Sequence, residues 1–222
     1  MAQTSILDRY QKKFLELVLK EPYVLKHFYW TGGTVLSEHY LHHRESYDID
    51  LFSENEEIHL PSVSKFVSVA GEYLKAQSIS HRRYLGLHTF TFKFKDGELK
   101  VDFNYYPFPR INIGKNWKGL QLDSLEDIAA NKIHTISMKP RSRDFVDLYF
   151  IMQKEKFSLQ NVVSLARAKF DWPIDPIQLG ETFAEVAAYQ EEVPKMLIPV
   201  NLKKVENFFL KLAKSLEDEI FK

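Results

Sequence analysis

Cysteine is absent from the 222 residues of this chain. Disulfides and thiolate metal sites are thereby excluded, and a reducing compartment suits the protein. Net charge is missing as well, because 30 basic residues balance 30 acidic ones. A chain-wide attraction to nucleic acid has no basis in such a total, which leaves room only for a local basic patch. No apolar run reaches the roughly 18 residues of a membrane-spanning helix. The first residues, Met1 to Phe14, lack the apolar stretch of a signal peptide. The expectation is a cytoplasmic protein with no membrane association. Internal repeats and low-complexity segments are lacking too.

What remains is ordinary globular material. Hydrophobic residues make up 45% and charged residues 27%, with 17 Phe and 11 Tyr. That balance excludes the disordered class and allows a sizeable core. The length suits one domain or a compact pair.

The patterning changes character along the chain. Ile6, Leu7, Tyr10, Phe14, Leu17 and Val18 recur at helical spacing over residues 5–20. Pro22 opens a short second helix or turn. His27 to Trp30 reads as a buried strand, stopped by Thr31-Gly32-Gly33, and Thr34 to Leu41 as a helix. Residues 48–53 alternate acidic and apolar, which predicts a strand. A helix over 62–77 follows, then strands over 79–84, 87–95 and 98–105. Asp96-Gly97 marks a hairpin between the last two. Beyond residue 120 every segment is helical: near 124–138, 142–154, 158–169, 176–190 and 202–220. The expected fold class is α+β: a mixed-sheet α/β core over 1–120, then a helical region over 121–222 that packs on it.

The chemistry gathers around Gly32-Gly33-Thr34 and Asp48-Ile49-Asp50. Residues two apart on a strand face the same way, so Asp48 and Asp50 project together. Two fixed carboxylates repel unless a cation lies between them. Mg²⁺ accepts oxygen ligands of this kind and shares them with substrate phosphates. The glycine pair lets backbone approach a ligand, and a helix start attracts phosphate. In Leu99-Lys100-Val101-Asp102-Phe103-Asn104 the alternation puts Lys100, Asp102 and Asn104 on one face. An Asp in mid-strand is disfavoured. Asp102 is therefore a candidate third metal ligand, and a candidate general base for an acceptor hydroxyl.

The run YWTGGTVLSEHYLHHRESYDIDLFSE resembles the first motif of the AbiEii toxin family, within the DNA polymerase β-like nucleotidyltransferases. The matching positions include His43, Arg44, Ser46, Asp48 and Asp50. SLEDIAANKIHTISMKPRSRDFVDLYFIM is similar to the later helices of that family, through Lys132, Arg143, Asp144, Asp147, Leu148 and Tyr149. The resemblance covers residues 28–152. It implies that Gly32, Gly33, Thr34 and Arg44 hold the nucleotide and that Asp48 and Asp50 bind metal. It implies that Lys132 reaches the triphosphate, and that Asp144 acts as an acid–base group or organises Lys132 and Arg44. Together these imply a Mg²⁺- (or Mn²⁺-) dependent, two-metal transfer of an NMP from an NTP. The implied acceptor is the 3′ end of tRNA, and the implied partner an antitoxin.

Rival readings have their own residues. A non-catalytic nucleotide-binding or interaction module predicts damage to the acidic set, yet Asp48, Asp50, Lys132 and Asp144 are all present. A metal-dependent phosphohydrolase calls for further His or carboxylates close in sequence, which are not found. A protein hydroxyl is the alternative acceptor. Lys132 can also be a surface lysine, Arg143 with Asp147 a helix-supporting i, i+4 pair, and Arg44 the partner of Glu45 or an Asp. His39, His42 and His43 match no zinc spacing. Residues 139–143, KPRSR, form a small basic cluster whose two readings are a solvated loop and an approach to an RNA acceptor, the loop being favoured.

Overall fold

The computed structural model describes residues 5–189 and 193–220. They form two compact units, Met1–Tyr40 with Ser46–Ser124, and Leu41–Glu45 with Leu125–Lys222. Segment 41–45, expected in the α/β core, belongs instead with the helices. Its backbone is satisfied there: Glu45 N donates to Lys195 O at 2.8 Å and Leu197 N donates to His43 O at 2.9 Å.

In the first unit, α1 (Arg9–Val18) starts at Asp8, whose carboxylate accepts from the backbone of Tyr10 and Gln11. α2 (Pro22–His27) has its proline at the helix start, where a missing N–H is harmless. Then come β1 (Tyr29–Thr31), α3 (Gly32–Val35), a π-helical continuation over Leu36–Leu41, β2 (Asp48–Ser53) and α4 (Leu60–Leu74). The strands β3 (Ser78–Tyr84), β4 (Leu87–Phe94), β5 (Gly97–Tyr105), β6 (Asn116–Trp117) and β7 (Leu120–Leu122) complete it.

All seven strands form one mixed sheet in the order β3-β4-β5-β2-β1-β7-β6. β2 runs parallel to β5 and β1 parallel to β7; the other pairs are antiparallel. Ile49, Leu51, Phe90, Phe92, Val101 and Phe103 fill one face and are buried. On that side Phe14 meets Phe66 and Phe92 edge to face at 5.5 and 5.7 Å. Asp48, Asp50, Lys100 and Asp102 occupy the opposite face, because the side-chain period of a strand is two. Phe94 pairs with Gly97 across Lys95-Asp96, the hairpin foreseen from Asp96-Gly97. β6 and β7 were not foreseen. Two or three residues are too few to show a period, and β7 is held by pairing with β1.

The second unit is helical: α5 (Leu125–Met138), α6 (Ser142–Glu155), α7 (Leu159–Phe170), α8 (Pro176–Ala184), a 3₁₀ turn over Val186–Tyr189, and α9 (Leu202–Ile220). The single helix expected over 176–190 breaks at Glu185, and Gln190 lies outside the described residues. Phe209 anchors this core against Phe145 at 5.0 Å and Phe183 at 5.1 Å. Lys169 and Asp127 form a fully buried ion pair at 2.7 Å. Among the described residues no helix is long and apolar enough to cross a membrane.

Candidate active site

Strand register assembles the acidic face. Asp50 stands opposite Asp102 on β5 and opposite Thr31 on β1, while Asp48 stands opposite Lys100. The three carboxylates predicted as metal ligands therefore share one side of the sheet. Lys100 lies among them, with Nζ 2.9 Å from Asp102 Oδ2 and 3.3 Å from Asp48 Oδ2. Burial pulls the Lys100 ammonium down, but Asp102, Asp48 and Asp50 outweigh it and hold its pKa above the ordinary lysine value. The sequence placed Lys100 on this face without a role, although a cation two residues before Asp102 was the available signal. Asp102 is buried, and its Oδ1 has no hydrogen-bond partner.

Gly32 has φ +83°, and a Cβ there would lie 2.1 Å from Asp50 Oδ2. The carboxylate occupies the space that any other residue would need. Gly33 follows in the first turn of α3. Thr34, expected at the nucleotide, is fully buried, and its hydroxyl donates to the carbonyl of Asp48. In the first turn it points inward and ties the helix to β2, away from solvent. Thr31 Oγ1 donates to Asp123 Oδ2 at 2.5 Å, and the Tyr40 hydroxyl donates to the Asp123 carbonyl at 2.8 Å. Asp123 escaped sequence reasoning because it follows β7.

Among the described residues no group of three or more His, Asp or Glu side chains forms a ready-made metal cage. Mg²⁺ does not require one, since it commonly takes one or two carboxylates and completes its shell with water and substrate phosphates. The hard oxygens of Asp48 and Asp50, with the unpartnered Oδ1 of Asp102 nearby in register, fit that mode.

In the helical unit the charges converge on Asp147, which is fully buried. Its Oδ1 accepts from Arg44 Nε at 2.6 Å and lies 2.8 Å from His43 Nε2. Its Oδ2 accepts from Arg44 Nη2 at 2.8 Å and lies 2.6 Å from Lys132 Nζ. Lys132 Nζ also donates to Asp144 Oδ1 at 2.8 Å, and Arg141 Nε donates to Asp144 Oδ2 at 2.7 Å. So Lys132 and Asp144 are brought together in one ion pair. Arg44, expected at the nucleotide, is buried with its fork on Asp147, a bidentate geometry that only Arg offers. Arg143 is exposed, and the anticipated pair with Asp147 is replaced by pairs from His43, Arg44 and Lys132.

Burial alone would raise the Asp147 pKa, yet Lys132 and Arg44 hold it well below the usual carboxylate range. Burial also lowers His43, which Asp147 only partly opposes, so the ring is held neutral. Asp147 is visible in the sequence as i+3 from Asp144, on the same helix face.

Known proteins resemble this chain in sequence or in fold. A 29% identical relative over 210 residues is the uncharacterised protein aq_aa25 of Aquifex aeolicus (strain VF5); the match covers 94% of this chain and 96% of that one. The crystal structure of JHP933 from Helicobacter pylori has the same fold, with a TM-score of 0.55, 18% identity, and coverage of 95% of this chain and 90% of its own. A second H. pylori structure, provisionally assigned as a nucleotidyltransferase, has a TM-score of 0.56 and 16% identity, with coverage of 95% and 93%. The sequence profile described as "Nucleotidyl transferase AbiEii toxin, Type IV TA system" matches residues 14–218. The Gly32–Asp50 contact, the strand carboxylates and the Lys132–Asp144 pair all lie within that span, and the chain belongs to the AbiEii nucleotidyltransferase toxin family of type IV toxin–antitoxin systems.

Proposed function

We propose that this enzyme transfers an NMP from a Mg²⁺- or Mn²⁺-bound NTP to the 3′-terminal hydroxyl of a tRNA, in the cytoplasm, with an antitoxin as its cognate partner. The observation that carries the reading is the row of Asp50 and Asp102 in register, with Asp48 one pleat away and Gly32 clearing space for Asp50. When bound, the two ions neutralise charge on the attacking and leaving oxygens of an in-line displacement.

The chain's own groups divide the remaining work. Asp48 and Asp50 hold the metal-bound triphosphate, and Gly32 and Gly33 allow backbone to approach its phosphates. Asp102 takes the proton of the acceptor hydroxyl. A bond forms from that oxygen to the α-phosphorus, the α–β phosphoanhydride breaks, and pyrophosphate leaves. Lys100 balances the carboxylates until metal arrives. Within the helical unit we assign Asp144 to aligning the Lys132 ammonium. Arg44 and Asp147 position that pair rather than touch the nucleotide.

The test incubates the protein with each α-labelled NTP, Mg²⁺, and cellular RNA plus protein, and asks which fraction gains label. Label in tRNA that vanishes with Asp48→Ala/Asp50→Ala, while the protein stays folded, is the expected outcome. Labelling that persists in the double variant overturns the metal assignment. Label confined to protein overturns the tRNA assignment.

A further inference from the structure

The β3–β4 hairpin is an electrostatic exception in a neutral chain. From Tyr73 to Lys95 there is no acidic residue, while Lys75, Arg82, Arg83, Lys93 and Lys95 all fall in that interval. β3 is the sheet edge, and every one of its residues is exposed. Arg82, Lys93 and Lys95 have no carboxylate partner among the described residues. Glu98 stands across from Lys93 and offsets that one cation.

Strand register links this edge to the acidic row. Arg82 pairs with Thr89, Thr89 with Asp102, and Asp102 with Asp50. Ser80 pairs with Thr91, and Thr91 with Lys100. Directly paired residues share a face, so Arg82, Ser80, Thr89 and Thr91 continue the catalytic face outward as a strip of hydroxyls ending in a cation. At about 4.8 Å per strand, Arg82 sits about 10 Å from Asp102 along the sheet. Tyr84, two residues on and on the same face, is 75% exposed.

We propose that the outer face of β3–β4 binds the single-stranded 3′ segment of the RNA acceptor and leads its terminal hydroxyl toward Asp102. Arg82 meets a backbone phosphate, Ser80, Thr89 and Thr91 meet phosphate or 2′-hydroxyl oxygens, and Tyr84 stacks on a base. A cation beside an exposed aromatic is the pairing that single-strand binders use, and it does not depend on base identity. An acidic peptide would satisfy Arg82 but would leave Tyr84 without a planar partner. The placement rests on the nucleotidyl-transfer reading of Asp48, Asp50 and Asp102.

The test uses the full chain and a fluorescent RNA of about 12 nucleotides with a free 3′-hydroxyl, a length within the range of single-strand sites. Binding is followed by anisotropy at several salt concentrations. Tyr84→Ala is expected to weaken binding about tenfold with little change in salt slope. Arg82→Ala is expected to weaken it and to reduce the slope by about 1, the signature of one lost phosphate contact. Both side chains are exposed, so thermal unfolding should not move; Arg82→Gln repeats the test with a longer uncharged side chain. Wild-type RNA affinity in the Arg82 and Tyr84 variants overturns the proposal, as does loss of antitoxin binding with RNA binding intact. Asp48→Ala/Asp50→Ala separates the two readings, because it should abolish transfer and keep RNA affinity. If RNA binding depends on Arg82 and Tyr84 but no nucleotide is ever transferred, the reaction is refuted and the surface stands.

Discussion

Asp50 and Gly32 are mutually required: the Asp50 carboxylate lies where a Cβ on residue 32 would be, 2.1 Å from its Oδ2. The glycine adopts φ +83°, a conformation that costs an L side chain about 1–2 kcal/mol. Gly32→Ala must therefore displace Asp50 as well as strain the turn. We expect a loss in transfer rate of about 100-fold, the scale of an ångström-sized misplacement. Labelled-NTP turnover beside a denaturation curve checks this. A rate loss no larger than the stability loss explains would remove Gly32 from the site.

Lys100 occupies Asp48 and Asp102, so on the proposed metal reading it competes with the ion for them. Lys100→Met removes the ammonium and keeps the stem. Direct calorimetric titration with Mn²⁺ should then show tighter binding, by about tenfold if 1.4 kcal/mol of competition is relieved. Unchanged or weaker Mn²⁺ affinity would mean that the lysine does not stand in the ion's place.

Asp147 is the hub of the helical charge cluster. Asp147→Ala leaves Arg44 and Lys132 with a buried carboxylate missing, a loss of the kind that costs about 3–5 kcal/mol. Denaturant midpoints should fall accordingly. Asp144→Ala leaves Arg44 and Lys132 still paired to Asp147, so it should cost less stability while still abolishing transfer. Equal destabilisation by the two substitutions would show that the cluster has no single centre.

Acid should destabilise the protein in two stages. Burial lowers the pKa of His39, His43, His88 and His134 from their ordinary value of 6.5. In this range the unfolded chain binds more protons than the native one. The stability they contribute is therefore full above about pH 6.5 and is lost as pH falls toward their folded values. Asp147 is depressed from 3.8, so its contribution is full above that value and is lost as pH falls further. Denaturation midpoints measured from neutral pH downward should decline from about 6.5. A flat profile down to about pH 5 would show that these rings are not held neutral.

Much of this was readable from local order alone. The apolar alternation of Ile49 with Leu51, and of Val101 with Phe103, specifies strands with one buried face. That forces Asp48, Asp50 and Asp102 onto the other face, because a strand has a period of two. The helical periods after residue 120 and the Asp96-Gly97 turn were equally local. The π-helical turn over Leu36–Leu41 was read only as a helix, since apolar spacing does not separate the two.

Partner choice was beyond reach in one dimension. Sequence spacing says that Arg44, Lys132 and Asp147 are charged; it does not say that one carboxylate collects both cations and His43. Nor does it say that Lys100 sits among the strand carboxylates, that Thr34 turns inward, or that β7 delivers Asp123 to Thr31. Periodicity and turn chemistry act between near neighbours and are written along the chain. Ion pairs, buried hydroxyls and sheet order join residues dozens to a hundred positions apart, and only the packing of elements in space selects among the many pairings that the same composition allows.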